Sequence, residues 1–144
     1  MTYDLPEPGE LTIAIDHAQA QLATADAHRA RIACTVIAAA VRDILTDFDH
    51  DAEFDAAGLA LRVGEYGCAA VPLGTYWTAT DEVHHIEDPD ALDGLSEWVS
   101  HLNWDNRAGW QPLCIAISRG YYRLDLARAA QLPTGPLPAP ETLP

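Results

Sequence analysis

From Glu10 to Ala57 the chain contains neither glycine nor proline. No other property of this sequence constrains its fold as strongly, because those two residues are the usual punctuation of helices and strands. Within that span, residues 11–48 are rich in alanine and place apolar side chains at helical spacing. Leu11, Ile15, Ala18, Leu22 and Ala25 mark one stripe. Ala33, Val36, Ile37, Ala40, Val41, Ile44, Leu45 and Phe48 continue it with more bulk. The spacing predicts one long helix, or two helices broken near residues 24–28. About 36 residues at ~1.5 Å each make a rod of roughly 54 Å. A compact body built from a chain of this size is about 30–40 Å across. A single straight helix would overhang it, so the helix must break, bend or be covered by a second chain.

After Gly58 the apolar period changes to two. "LALRVGE" (59–65) reads as a strand and "CAAVPL" (68–73) as its partner. "TYWTAT" (75–80) is a candidate third strand. Pro72 lacks an N–H and places the second strand at an edge or a bend. A helix restarts in "DPDALDGLSEWVSHL", with Asp88 as N-cap, Pro89 at the first position and Asp90 in the first turn. Leu92, Leu95, Trp98, Val99 and Leu102 form its expected buried stripe. Residues 103–112 read as a loop. "LCIAIS" and "YYRLDL" flank Arg119-Gly120 and make the best hairpin in the chain.

The domain reading is a flexible arm over 1–9, a single domain over 10–132 and a Pro-rich disordered tail over 133–144. The fold class expected is α+β: a long N-terminal helix and an antiparallel sheet of four to five strands. The order is α-β-β-(β)-α-β-β, with helices covering one face. That order, in a chain of this size and acidity, resembles the general layout of type III secretion chaperones. The resemblance lies in layout alone and implies a fold of this class.

The 144 residues include 22 acids against 8 basic residues, all arginine, for a net charge of −14. Phosphates would be repelled, which argues against direct binding to nucleic acid or to an anionic membrane. The charge suits a partner with a basic surface. Cys34, Cys68 and Cys114 are far apart, lack a CxxC and sit in apolar contexts. A disulfide framework or zinc ribbon is not expected, and each reads as a small buried hydrophobe. There is no apolar secretory segment at the N-terminus, and the run "TVIAAAV" is too short to span a bilayer. The expected compartment is the cytoplasm.

Two acidic runs stand out. Asp47, Asp49, Asp51, Glu53 and Asp55 occupy alternate positions, with the ligand spacing that opens a calcium loop. Counted from Asp47, however, position 6 is Ala52 and position 12 is Gly58, where such a loop needs glycine and a bidentate glutamate. The run instead reads as a solvated connection, placed where a helix C-terminus disfavours negative charge. The second run, residues 81–97, carries seven acids around His84 and His85. Adjacent residues on a strand point to opposite faces, so the two histidines do not pair on one metal. Trp104 and Trp110 either fold over the core edge or stand exposed as anchors. Arg119, Tyr121, Tyr122 and Arg123 form a basic–aromatic cluster with the composition of a binding face.

The chain carries no GxSxG, P-loop or GxGxxG pattern, and no cofactor, metal or catalytic residue is assigned. The functional expectation is a non-enzymatic interaction domain, acting as an adaptor, a chaperone-like protein or an inhibitor. The partner-binding candidates are Asp47, Asp49, Asp51, Glu53, Asp55, Trp104, Trp110, Arg119, Tyr121 and Arg123. One alternative is a nucleic-acid mimic that occupies a basic cleft. The other is a divalent-metal protein or enzyme using residues 47–55. A homodimer joined through the N-terminal helix is expected, because the stripe from Leu11 to Ala25 extends past what one domain can cover.

Overall fold

The computed structural model describes residues 4–49, 51–64 and 68–133. Helix α1 runs unbroken from Pro8 to Thr46. Its 39 residues span about 58 Å. Of the two readings of this segment, one helix is the outcome, and it begins two residues ahead of Glu10 with Pro8 in the first turn. It ends at Asp47, which turns left-handed (φ 51°) and donates its N–H to the Asp43 carbonyl. Phe48 follows with φ 64°, outside the helix and exposed, so it does not extend the core stripe. Met1–Tyr3 of the expected arm and most of the expected tail, beyond Pro133, lie outside the described residues.

Five antiparallel strands follow, β1 Ala56–Arg62, β2 Val71–Thr78, β3 Val83–His85, β4 Cys114–Ser118 and β5 Tyr121–Asp125. They lie in the order β3-β2-β1-β5-β4. The α+β architecture expected from the sequence is thus the one observed, but the strands are bounded differently. Residues 68–73 and 75–80 do not form two strands. They contribute to the single strand β2, because Gly74 (φ 82°) absorbs an irregular register without reversing the chain. Pro72 lies opposite Leu61 beside that irregularity, on a stretch of β2 that β3 does not reach. The third strand is Val83–His85, inside the acidic run.

The central strand β1 alternates as a strand must. Leu59 and Leu61, with Leu124 of β5, face the helices and are fully buried. Gly58, Ala60 and Arg62 face the other way. The core side is closed by the second half of α1 (Ala30, Cys34, Ile37, Val41) and by α2, Pro89–Val99. The N-cap of α2 is Asp88, which accepts the Asp90 N–H at 3.0 Å. Leu95, Val99 and Leu102 are buried as the stripe requires. Trp98 is not. It lies on the helix flank and packs its ring on His101, centroids 5.5 Å apart.

Two short helices occupy segments read as loop or strand. Helix α3, Arg107–Trp110, lies within the expected loop, and α4, Leu126–Ala129, follows β5 directly. Asp125 caps α4 by accepting the Arg128 N–H. Arg31 of α1 then donates to the carbonyls of Arg128, Ala129 and Gln131, which ties the end of α4 to the middle of α1. Among the described residues no helix is long and apolar enough to cross a membrane.

Candidate functional site

The far side of the sheet, away from α1 and α2, is covered by no element of the chain among the described residues. Strand register shows what it displays. Ala60 pairs with Arg123, Arg62 with Tyr121 and Val71, and Trp77 with Val83. Ile115 pairs with Arg123. These residues share the outer face. Ala60, with no side chain beyond Cβ, leaves a trough on β1. Leu73, Thr75 and Trp77 wall it on one side and Ile117 and Tyr121 on the other, forming an open groove of about 310 Å³. Val71, Leu73, Val83, Ile115, Ile117 and Tyr121 on this face are exposed. Contiguous apolar exposure of this kind is uncommon on a self-sufficient domain and marks interaction surfaces.

One end of the trough is rigidly built. The Arg123 guanidinium lies over the Trp77 ring, 4.9 Å from its centroid, and pairs with Asp81 at 2.9 Å. Gly58 is what permits this: a Cβ there would come within 2.5 Å of the Arg123 Nε. Asp81 holds its place with a left-handed backbone (φ 62°). Of the expected basic–aromatic cluster, Tyr121 and Arg123 therefore sit on the trough, and Arg119 is exposed in the β4–β5 turn beside Gly120 (φ 80°). Tyr122 points the other way, edge-on to Trp110 with centroids 5.2 Å apart.

The two tryptophans of the 103–112 segment divide the alternatives between them. Trp110 is fully buried (0 % exposed) and donates its indole N–H to the Asn103 carbonyl at 2.8 Å. Trp104 stays 38 % exposed beneath the Arg107 guanidinium, 4.5 Å from its centroid. The segment is not a loose loop. Buried Asn106 accepts the Asn103 N–H and donates to the His101 carbonyl. Gly109 lies so close to α1 that a Cβ would meet the Ala27 carbonyl oxygen at 2.0 Å. Trp110 is thus a core anchor, and only Trp104 is available to a partner.

The acidic residues Asp47, Asp49, Asp51, Glu53 and Asp55 are all exposed. The Asp49 carboxylate accepts the Asp51 N–H, a local turn bond. Among the described residues no group of three or more His, Cys, Asp or Glu is placed to hold a metal ion. The first run approaches the turn ahead of the second, where the Ala79 N–H bonds to the Asp55 carbonyl at 2.9 Å. The second run is itself divided: β3 and Ile86 place four residues between Glu82 and Glu87, about 16 Å of extended chain. His84 stacks on Tyr76 and His85 bonds to Thr75 Oγ1, on opposite faces of β3.

A larger cavity, about 530 Å³, lies between α1, β1 and α4. Its lining is mostly alanine, with Arg42 already bonded to Asp43. It lacks the convergent polar groups that orient a small ligand. Burial pushes the thiols of Cys34 and Cys114 up to about 12, so neither is a nucleophile at neutral pH. Cys68 departs from the expectation of burial: it is exposed, in an irregular segment ahead of β2.

Compared with known proteins, the chain matches no family model, and no curated protein and no solved structure matches it.

Proposed function

We propose that this chain is a small acidic interaction domain, without catalytic activity, that binds another protein in the cytoplasm. The observation that supports this reading is the uncovered outer face of the sheet. Its apolar rim, from Leu73 and Trp77 to Ile117 and Tyr121, is suited to an apolar ridge on the partner. Basic residues of that partner would fall toward the end where Asp55 bonds to the turn that leads to Asp81. Self-association through α1 is the second part of the reading. The test is affinity capture from the native host with the wild type and with Leu73→Glu/Ile117→Glu. Both side chains are exposed, so the variant keeps its core. The wild type should retain a stoichiometric protein that the variant loses. Equal retention, or none by either, would overturn the reading.

A nucleic-acid mimic is the second reading, favoured by the joining of residues 47–55 to the turn at Asp81. It requires a basic partner whose binding weakens steeply with salt. Neutralising the acids of 47–55 and 81–90 without loss of that binding would exclude it.

A further inference from the structure

The first half of α1 is exposed throughout, from Pro8 to Ala23. Leu11 is 48 % exposed, Ile15 59 % and Leu22 71 %. These residues do not continue the core stripe. At ~3.6 residues per turn, the line through Leu11, Ile15, Ala18, Leu22 and Ala25 lies roughly a third of a turn from that through Ala30, Cys34, Ile37 and Val41. The overhang's positions on the core-facing line are Thr12, Asp16, Gln19 and Ala23, polar or small. The helix thus turns a polar line toward its own body's side and an apolar line elsewhere.

We infer that this apolar line pairs with the same line of a second copy, antiparallel, about a twofold axis near Ala18. The inference rests on the self-association part of the reading above and adds its geometry. The spacing 11, 15, 18, 22, 25 alternates four and three, the repeat of a two-helix seam. It is also nearly symmetric about its middle. Antiparallel pairing sets Leu11 against Ala25, Ile15 against Leu22 and Ala18 against Ala18, so a large side chain meets a small one at each end.

Charge favours the same occupant. Of the chain's 22 acids, only Glu10, Asp16 and Asp26 lie between residues 8 and 26, and none is on the seam. Two copies of a −14 chain can meet here with less repulsion than at the acidic end of the sheet. The C-terminal segment starts elsewhere: Arg31, which binds the Gln131 carbonyl, projects on the side of α1 opposite the seam. Area bears on the strength. Antiparallel overlap centred on Ala18 covers the helix from Pro8 to residue 28, about 30 Å. Over a third of a helix surface that is about 450 Å² per copy, ~900 Å² in all, the size of a weak, transient complex. A weak dimer, populated only as protein concentration rises, is expected.

Sedimentation from about 1 to 500 µM should show a monomer–dimer equilibrium, with Leu11→Asp/Ile15→Asp/Leu22→Asp monomeric throughout. A second arm keeps the register testable if that variant loses helix. In a Cys68→Ser background, Ala18→Cys should form a disulfide-linked dimer under mild oxidation. Leu11→Cys and Ile13→Cys should not. A wild type monomeric at 500 µM would overturn the pairing and leave the seam to another partner. A dimer that survives the triple change would place the interface elsewhere, with the exposed edge strand β4 first in line. Linking through Leu11→Cys would mean parallel helices, overturning the register while the dimer itself stands.

Discussion

The two halves of α1 are both alanine-rich, both free of glycine and proline, and both helical, yet they do different work. Residues 27–46 bury Ala30, Cys34, Ile37 and Val41 completely against the sheet and α2. Residues 8–26 bury none of their side chains. Apolar periodicity is present in each. What differs is the direction of the stripe and its bulk. The comparison teaches that periodicity identifies which residues share a face but leaves open which surface covers that face. The exposed half propagates from the packed half and so bears no nucleation cost of its own, but its apolar line has no cover among the described residues.

The strongest way to break the comparison is to truncate one side chain in the packed half. Ile37→Ala removes a fully buried residue and should cost about 2–5 kcal/mol. A urea midpoint would read this directly, and a loss below ~0.5 kcal/mol would mean the core is not where α1 meets the sheet. Gly109→Ala probes the junction where the packed half begins. The added methyl must push α3 off the Ala27 carbonyl, which should cost about 1–3 kcal/mol by the same measurement. Leu22→Ala, in the exposed half, should change the stability of the dilute monomer by less than ~0.5 kcal/mol, while weakening self-association in sedimentation.

The smallest effect near neutral pH sharpens the same contrast through the thiols. Cys34, inside the packed half, and Cys114 keep their protons up to about 12, against an ordinary value of 9.0, because burial penalises the thiolate. Exposed Cys68 should react with a thiol reagent at pH 8, and the other two only after unfolding. The folded state holds these protons more tightly than the unfolded chain. Their contribution to stability is therefore complete below about pH 9 and is lost as pH rises toward 12. Rapid labelling of all three thiols in the folded protein would contradict this.

Much of the fold was legible in the sequence where local chemistry decides it. The run without Gly or Pro became α1, Asp88-Pro89 started α2 as read, and Arg119-Gly120 turned the hairpin. The failures came where tertiary context decides. Gly74 looked like a break between strands, but beside β1 it is only an irregularity within one. Val83–His85 has no alternating apolar signal and is a strand only because β2 offers it an edge. Trp110 and Trp104, six residues apart in a polar stretch, gave no local sign of which would be buried. Gly109 decides it by letting α3 approach α1 closely enough to insert one of them. The outer trough depends on Gly58, Ala60, Trp77 and Arg123, four residues on three strands, and no single stretch of sequence brings them together.

Amide hydrogen exchange as a function of protein concentration tests most directly whether the two halves of α1 are held by different partners. Amides in residues 27–46 should exchange slowly and at the same rate from about 1 µM to several hundred µM, since their protection follows the stability of the domain itself. Amides in residues 8–26 should be weakly protected when dilute and gain protection as concentration rises through the micromolar range. Protection of residues 8–26 that is high and independent of concentration, or low at every concentration, would contradict the account.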